Sequence, residues 1–480
     1  MKWFLAFDLG AESGRGVLAT YADGRLSLSE LGRFVTNRGD EDLGADSVRR
    51  WDFERIWSEV SGILQAAGPV DGVGVDSWGV DFGLLDSHGR LMEAPVQYRD
   101  ESHTRAMEDA LETVSRESIW EATGIQFLPF NTVYQLLARY WRSPKMLEQA
   151  KHLLMIPDLL HNRLTGGHSR CVERTNASTT QLLNPLTHRW NHAILDALGL
   201  PSQFLGEIVE AGGRIGETDG GVPVYAPATH DTGSAVVAVP GDAGRSWAFL
   251  SSGTWSLLGV ERPSPLITPD ALRQGFSNEA GVAGTTRLLS NIMGLWLVQE
   301  CRRSLKKAGH DYTYEELSAL AEAAPEGGPV IDASSTDFLA PPDMPEAIRA
   351  ACVWTGQPAP DGAGPLIRCC LESLALAYRR KLAALEILQG RRFEVLHIVG
   401  GGSRNRLLNQ WTADACGIPV VAGPAEATAA GNALAQMVAA GVISGWEAAR
   451  DVSRHSFDVE TFEPDPLAAS RWEDLATKSQ

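Results

Sequence analysis

Long apolar segments are absent from this sequence. It has no run of about 18 apolar residues, which is the length that a transmembrane helix requires. The N-terminus, Met1 to Phe7, has the apolar character of a secretory signal, but Asp8 interrupts it before a full apolar region is formed. We therefore expect the chain to be cytoplasmic, without a membrane partner.

Cysteine and positive charge are scarce as well. The 42 Lys and Arg residues are outnumbered by 60 Asp and Glu residues, and the formal net charge is -18. This balance argues against binding to nucleic acid through bulk electrostatics, although local loops can still capture a small anion. The cysteines show no metal-type spacing, so free thiols are expected at Cys171, Cys301, Cys352, Cys369, Cys370 and Cys416.

The most informative stretch runs from Leu5 to Arg15. The apolar residues Phe4 to Phe7 are typical of a buried strand, and Gly10 and Gly14 in the turn that follows are expected to adopt backbone angles that other residues avoid. Such a turn directs backbone N–H groups inward and can hold phosphate, while the carboxylate of Asp8 at the strand end could hold Mg²⁺. The alternative is an ordinary β-hairpin with a solvated Asp.

The same layout recurs half a chain later. From Trp247 to Gly259 an apolar strand again enters a small-residue turn and an apolar strand leaves it, with Ser251 at the position that Asp8 has in the first copy. A repeat on this scale in 480 residues predicts two similar domains, whose phosphate-sized turns would together make one nucleotide site. The Pro- and Gly-rich stretch 240–244 is the best candidate for the linker.

Strands and helices alternate in the first part of the chain, which predicts an α/β fold. We expect one domain over 1–240 and a second over 245–455, followed by a polar tail at 456–480. Residues 102–220 are expected to be mostly helical, and Asn291 to Lys307 to form one long amphipathic helix.

Polar groups follow several of the expected strands. His230-Asp231-Thr232 opens a helix, whose dipole would favour an ionised Asp231 suited to accept a proton from a sugar hydroxyl. The alternative for Asp231 is a helix N-cap. Gly400-Gly401-Gly402 also joins a strand to a helix and either lies against an anion or is a plain turn.

The segment Asp76-Ser77-Trp78-Gly79 ends another expected strand. A Trp beside a Gly suits a sugar, because the ring packs on C–H faces and the Gly lets a hydroxyl approach. A Trp that belongs to the domain core is the alternative.

Motifs along nearly the whole chain resemble the FGGY carbohydrate kinases. This family has the two-domain actin/hexokinase/Hsp70-like ATPase fold, an α/β fold with a ligand cleft between the domains. The motifs that carry the resemblance are FDLGAESGR (7–15), GVDSWGVDFGLLD (74–86), TGIQFLPFNTVYQL (123–136), TNASTTQLLN (175–184), THDTGSAV (229–236), LSSGTWSL (250–257), NIMGLWLVQECR (291–302), LHIVGGGSRNRLLNQ (396–410) and ADACGIPVVAGPAEAT (413–428). The QFLPFN and NIMGLW blocks are far more specific than any Gly turn.

Within the family the chain is most similar to kinases of L-rhamnulose. The resemblance therefore implies ATP- and Mg²⁺-dependent phosphorylation of this ketose at its 1-hydroxyl, in L-rhamnose catabolism. It implies ATP-phosphate contacts at Ala11, Glu12, Ser13, Gly14 and Arg15, Mg²⁺ near Asp8, ketose contacts at Gly79, His230, Asp231 and Thr232 with Asp231 as proton acceptor, and further ATP contacts at Thr254, Asn291, Gln299 and Gly401.

One residue departs from the family pattern, and one pair of cysteines matches it. Glu12 stands where relatives usually have Ser or another small residue, and a carboxylate near phosphates is unfavourable unless it points away or meets the metal. Cys352 and Cys369 match a cysteine pair seen in relatives, so the resemblance also allows a disulfide between them.

Two alternatives to this function stay open. Another ketose, such as L-fuculose or xylulose, is the alternative substrate, since the sugar pocket is what varies within the family. A non-catalytic sugar sensor of the same fold is the alternative from another class, although a sensor would have no reason to keep the proton acceptor Asp231. The expected partners are a small-molecule ketose and ATP, with the chain a monomer or a homodimer.

Overall fold

The structure, a computed structural model, describes residues 1–44, 46–339 and 341–478. The last two residues of the expected tail lie outside the described part. The strands, in chain order, are β1 (Lys2–Leu9), β2 (Ser13–Ala22), β3 (Arg25–Val35), β4 (Gly72–Ser77), β5 (Phe82–Leu85), β6 (His152–Met155), β7 (Val172–Glu173), β8 (Leu183–Asn184), β9 (Arg189–Trp190), β10 (Ile208–Val209), β11 (Gly213–Glu217), β12 (Pro223–Ala226), β13 (Trp247–Ser252), β14 (Trp255–Arg262), β15 (Ser277–Ala280), β16 (Thr286–Met293), β17 (Val395–Val399), β18 (Val420–Ala422) and β19 (Glu460–Phe462).

The helices complete the element order. They are α1 (Phe53–Ala66), α2 (Ser102–Thr113), α3 (Arg116–Thr123), α4 (Thr132–Arg142), α5 (Pro144–Gln149), α6 (Ile156–Leu164), α7 (Arg174–Ala177), α8 (His192–Ala197), α9 (Asp231–Val237), α10 (Pro269–Arg273), α11 (Trp296–Lys307), α12 (Tyr314–Ala323), α13 (Met344–Trp354), α14 (Ala363–Gln389), α15 (Arg406–Cys416), α16 (Ala427–Ala439), α17 (Trp446–Ser456) and α18 (Ala469–Lys478). Short 3-10 turns occur at Gly39–Asp42, Ser178–Thr180, Thr336–Phe338, Gly401–Arg404 and Pro466–Ala468.

Packing divides the chain into two compact units. Unit 1 contains Met1–Pro240, Glu261–Leu288 and Ala427–Phe457, and unit 2 contains Gly241–Val260, Leu289–Glu426 and the chain from Asp458 onward. The first division falls at the start of the expected linker. The units differ from the expected contiguous domains because the two later segments of unit 1 pack with the first part of the chain, as α16 does on β1 and α9.

Unit 1 is built on a mixed sheet with the strand order β11-β12-β4-β1-β2-β3. Strand β1 lies antiparallel to β2 and parallel to β4. Residues Phe4 to Phe7 of β1 are fully buried, as the continuous apolar run predicted. Helix α1 begins where the side chain of Asp52 accepts a hydrogen bond from N of Arg55, and it buries Phe53, Ile56 and Val60.

Unit 2 repeats this arrangement. Strand β13 lies antiparallel to β14 and parallel to β17, and β18 and β19 follow β17 in the sheet. The hairpin β13-β14 therefore corresponds to β1-β2, and β17 corresponds to β4. The internal repeat predicted from the two turns is confirmed at the level of strand pairing. Helix α14 is followed by Gly390, which has the left-handed φ of 63° that favours glycine.

Three local expectations were wrong in part. Residues 102–220 contain short paired strands as well as helices, because β5–β6, β7–β10 and β8–β9 pair across loops. The stretch from Asn291 is not helical at its start, since β16 continues to Met293 and α11 begins only at Trp296. The tail expected from 456 carries β19, which pairs with β18, and α18, which buries Trp472 and Leu475.

Of the two expectations for the cysteines, free thiols are confirmed and the disulfide is not. All six cysteines are free, so the disulfide that the resemblance allowed between Cys352 and Cys369 is not present. The two thiols are hydrogen-bonding neighbours, and this contact together with burial raises the pKa of Cys369 well above its usual range. Separately, the described helices include none that is long and apolar enough to cross a membrane.

Candidate active site

Asp8 and Asp76 lie side by side at the ends of the parallel strands β1 and β4, where they are register partners. The carboxylate of Asp8 accepts hydrogen bonds from Nε of Arg15 at 3.0 Å and from Nη2 at 2.7 Å, and the two residues form an ion pair. Asp76 is fully buried, and its Oδ2 accepts a hydrogen bond of 2.6 Å from Nδ2 of Asn432. Burial, and then the charge of Asp8, raise the pKa of Asp76 well above its usual range.

The turn between β1 and β2 is tight. N of Gly10 donates to O of Ser13 at 2.9 Å, and Oγ1 of Thr36 donates to O of Gly10 at 2.8 Å. Neither Gly10 nor Gly14 has a positive φ, so the expectation of unusual backbone angles was wrong. Gly14 is required for space instead, because a Cβ at this position would lie 2.6 Å from a ring carbon of Phe34.

Glu12 lies in this turn, and its negative charge is paired with Arg99. Its Oε1 lies 2.8 Å from Nη1 of Arg99, and the side chain is partly exposed. Ala11 and Ser13 beside it are half-buried. Since Arg99 neutralises the carboxylate, Glu12 adds little repulsion to an anion bound at the turn.

His230-Asp231-Thr232 lies at the N-terminus of α9, beside the end of β4. Ser77 and His230 form a parallel bridge, and N of Ser77 donates to O of Thr229 at 2.9 Å. Oδ1 of Asp231 accepts hydrogen bonds from N and Oγ1 of Thr232 at 2.6 and 3.1 Å. Both of these hydrogen bonds go to Oδ1, so among the described residues Oδ2 is the oxygen that remains for a ligand, and the side chain is 32% exposed.

The environment of Asp231 sets its proton affinity. Asp231 is the first residue of α9, and His230 is the N-cap, so the N-cap alternative for Asp231 is wrong. Desolvation raises the pKa of Asp231, the neighbouring His230 opposes this rise, and the charge of Asp8 adds to it. The net direction is upward, which makes Asp231 a better proton acceptor than an ordinary Asp.

Glu279 and Arg287 are buried beside His230, and the sequence patterns did not reveal them. Oε2 of Glu279 lies 3.2 Å from Nδ1 of His230 and 3.2 Å from Nη2 of Arg287. Both residues lie within buried strands, β15 and β16. A charged residue inside an otherwise buried strand is the sequence signal that could have drawn attention to them.

Gly79 follows β4 at a point of close approach. A Cβ at this position would lie 2.9 Å from Cγ2 of Thr179, so the site leaves no room for a side chain. The next residue, Val80, has φ of 69°, a strained conformation for a β-branched residue. N of Val80 donates to Oγ1 of Thr179 at 3.0 Å, and its carbonyl accepts from Oγ1 of Thr132 at 2.6 Å.

Trp78 belongs to the core, as its alternative interpretation proposed. Its ring lies 4.4 Å from that of Trp51, centroid to centroid, and it is 6% exposed. The indole N–H groups of Trp51 and Trp78 both donate to Oδ2 of Asp81, at 2.7 and 2.9 Å. Trp78 is therefore a core residue adjacent in sequence to Gly79.

In unit 2, the turn between β13 and β14 is held by the start of α11. N of Leu295 donates to O of Gly253 at 3.0 Å, and N of Trp296 donates to O of Thr254 at 3.1 Å. Gly294 permits this contact, because a Cβ there would lie 2.8 Å from O of Gly253. Gly294 lies in the NIMGLW block but was not among the expected ATP contacts.

The expected ATP-contacting residues of unit 2 divide into two groups. Oγ1 of Thr254 donates to Oε1 of Gln299 at 3.2 Å, so these two are brought together. Asn291 lies near the end of β16, half-buried, and Gly401 lies in the exposed turn after β17. Among the described residues other than Gly401 and its chain neighbours, no heavy atom lies within 4 Å of a Cβ built at this position, so its backbone is open to a ligand.

The residues present fit a magnesium ion that is carried in with a nucleotide. Among the described residues, no group of three or more His, Cys, Asp and Glu side chains could hold a metal by itself. Mg²⁺ typically takes one or two carboxylates and completes its shell with waters and phosphate oxygens. Asp8, whose side chain is 13% exposed at a strand end, could supply one such carboxylate.

Two family models match the chain. Residues 3–237 match the N-terminal domain of the FGGY family of carbohydrate kinases, and residues 248–440 match the C-terminal domain of the same family. The first match ends just before the linker expected at 240–244, and the second begins just after it.

Curated relatives match over nearly the whole length. The rhamnulokinase of Bacteroides thetaiotaomicron is 41% identical over 479 residues, which cover 97% of this chain and 96% of the relative. The rhamnulokinase of Pectobacterium carotovorum is 43% identical over 477 residues, which cover 97% of this chain and 93% of the relative.

Solved structures share the fold at much lower identity. A ligand-bound xylulose kinase from Lactobacillus acidophilus matches with a TM-score of 0.81 at 16% identity, covering 99% of this chain and 96% of that one. Plasmodium falciparum glycerol kinase with ADP matches with a TM-score of 0.77 at 16% identity, covering 100% of this chain and 98% of that one. The predicted two-domain α/β kinase fold is confirmed.

Proposed function

The chain belongs to the FGGY family of carbohydrate kinases, which use ATP with Mg²⁺, and we propose that it phosphorylates L-rhamnulose at the 1-hydroxyl to give L-rhamnulose 1-phosphate and ADP. The ketose is inferred from relatives of about the same length, such as the 41% identical rhamnulokinase described above. The observation that carries the chemistry is Asp231, whose Oδ1 is held by Thr232 while Oδ2 remains for a substrate hydroxyl.

Asp231 acts as the proton acceptor in this proposal. As the 1-hydroxyl oxygen attacks the γ-phosphorus of ATP, its proton passes to Oδ2, and the bond from phosphorus to the bridging oxygen of ADP breaks. Only modest basicity is required, because the transition state is loose and its charge lies mainly on the phosphoryl oxygens. His230, Thr232 and Gly79 bind the ketose so that its 1-hydroxyl meets Asp231.

The nucleotide is assigned to the two hairpin turns and their neighbours. Ala11, Glu12, Ser13, Gly14 and Arg15 bind the ATP phosphates in unit 1, and Thr254, Asn291, Gln299 and Gly401 bind ATP in unit 2. Asp8 would hold Mg²⁺, which neutralises charge on the phosphate oxygens when it is bound. Arg15 already pairs with Asp8, so this cation is in place to meet a phosphate beside the metal ligand.

The far end of the ketose should meet apolar atoms, because L-rhamnulose is a 6-deoxy sugar that ends in a methyl group. The block from Phe127 to Asn131, in which residues 127–130 are apolar and half-buried, is the candidate for this wall. A 6-hydroxyl without a partner there would cost about 1–3 kcal/mol. That cost corresponds to a loss of roughly 5- to 150-fold in kcat/KM.

The test is an ATP-consumption assay with a panel of ketoses. We expect kcat/KM to be highest for L-rhamnulose, lower for its 6-hydroxylated counterpart L-fructose, and lower again for ketoses with displaced hydroxyls. A higher kcat/KM for L-fuculose or xylulose would refute L-rhamnulose as the substrate but leave the assignment as a sugar kinase unchanged. Binding of a ketose without any ATP consumption would favour the sugar sensor instead. An ATP-dependent activity of this kind also supports a cytoplasmic site of action.

A further inference from the structure

Glu279 faces one nitrogen of the His230 ring, and Asp231 lies by the other. Nδ1 of His230 is 3.2 Å from Oε2 of Glu279, whereas Nε2 is 3.5 Å from Oδ1 of Asp231. Glu279 is itself held in place, since Nη2 of Arg287 lies 3.2 Å from the same oxygen and Nε of Arg287 donates to O of Ala280 at 3.0 Å. The side chains of Glu279 and Arg287 are only 7% and 1% exposed.

These neighbours decide which nitrogen of His230 carries a proton. A carboxylate only accepts hydrogen bonds and a guanidinium only donates them. A bare Nδ1 could accept from Nη2 of Arg287, also at 3.2 Å, but its lone pair would then lie beside an oxygen of Glu279. A protonated Nδ1 instead donates to Glu279, which accepts from Arg287 as well. In this second arrangement Nδ1–H and Nη2–H, whose nitrogens are 3.2 Å apart, share Oε2 of Glu279 as their acceptor, and no acceptor faces an acceptor.

The backbone of the same segment is fixed by other residues. Oε2 of Glu173 accepts hydrogen bonds from N and Oγ1 of Thr229 at 2.9 and 3.0 Å. Oγ1 of Thr175 accepts from N of His230 at 3.1 Å. The backbone position therefore depends on Glu173 and Thr175, while the ring orientation depends on Glu279.

We propose that Glu279, clamped by Arg287, is a positioning residue that holds the His230 imidazole with Nδ1–H toward the protein and Nε2 beside Asp231 and the ketose. The inference rests on the proposed function, because it concerns how the sugar end of that site is oriented. Neither residue is expected to touch a substrate. Each acts through His230.

The first test is kinetic. Glu279→Gln should lower kcat for L-rhamnulose by roughly ten- to a hundredfold, by analogy with the carboxylates that orient metal-binding histidines. KM for ATP should stay within about twofold, because the variant leaves the nucleotide residues in place. In a His230→Asn background the same change should cost nothing further, since the residue acts through the ring.

Two further variants separate orientation from folding. Glu279→Gln leaves the Arg287 cation buried without its carboxylate, so the double variant Glu279→Gln/Arg287→Met removes both charges together and should show the same loss of kcat. The matched control is Glu372→Gln in unit 2, which removes a fully buried Glu bonded to Arg368 at 2.9 Å. The control should keep kcat.

A measurement on the wild-type protein needs no substitution of Glu279. ¹⁵N spectra of the imidazole, assigned by comparison with His230→Asn, should show a proton on Nδ1. The inference is overturned by a neutral ring protonated only at Nε2, by kcat within twofold of wild type in both Glu279 variants, or by an undiminished effect in the His230→Asn background. If the wild type phosphorylates no ketose, the proposed function fails, and the ¹⁵N spectrum still shows whether Nδ1 carries the proton that the inference requires.

Discussion

Gly431→Ala tests the close contact between α16 and α9 in unit 1. A Cβ at Gly431 would lie 1.8 Å from O and 2.6 Å from C of Ser234, both backbone atoms of α9. Backbone of a packed helix cannot rotate away as a side chain can, so α9 and α16 would have to separate by more than 1 Å. Overpacking of this kind costs about 1–3 kcal/mol and at times more.

The expected net effect follows from two opposing terms. Ala is better than Gly inside a helix by about 1 kcal/mol, and this gain reduces the packing cost. With the packing cost at the upper end of its range, we expect local stability in α9 and α16 to fall by roughly 2 kcal/mol. Because α9 begins at Asp231, kcat should fall as well.

The matched control is Gly62→Ala in the exposed middle of α1. Outside the backbone of α1 itself and the two chain neighbours of Gly62, no heavy atom of the described residues lies within 4 Å of a Cβ built there. Only the helix-propensity term therefore remains, and α1 should become more stable by about 1 kcal/mol. Native-state amide hydrogen exchange reports these local opening free energies. Slower exchange in α9 and α16 of Gly431→Ala, as in α1 of the control, would refute the packing argument.

Three more predictions concern the site and the thiols. Asp231→Asn should lower kcat by at least roughly a hundredfold with ADP binding unchanged, and near-wild-type turnover would remove Asp231 from the mechanism. Because the pKa of Asp231 is raised and the ionised form is the base, kcat/KM should be lost as pH falls through a value above 3.8, and a pH profile with its acid limb at or below 3.8 would contradict this. The denatured, non-reduced protein should show six reactive thiols, and a count of four would indicate a bridge.

Several features of this protein could be predicted from the sequence because they depend on neighbours along the chain. The strand–turn–strand units around Gly10 and Gly253 and the strand before Gly400 follow from short apolar runs and turn residues. The motif blocks also indicated the family correctly. The roles of the individual site residues stay predictions.

Local sequence patterns predicted the wrong secondary structure where a strand pairs with a segment far along the chain. Asn291 was placed in a helix because its apolar neighbours also fit helical spacing, but it belongs to a strand of the second sheet. The residues after 456 looked like a polar tail, yet β19 finds its partner in β18. The sequence of a short polar segment does not show that it will pair with the edge of a distant strand.

The site itself was decided by tertiary structure. The sequence placed Asp8, Asp231 and the Gly turns at the ends of elements, because each is set by the residues on either side. It could not show that Asp8 and Asp76 are register partners, that Asn432 returns to bind Asp76, or that Glu279 lies against His230. Those contacts join residues tens to hundreds of positions apart, and only the packing of strands and helices in three dimensions brings them within hydrogen-bonding distance.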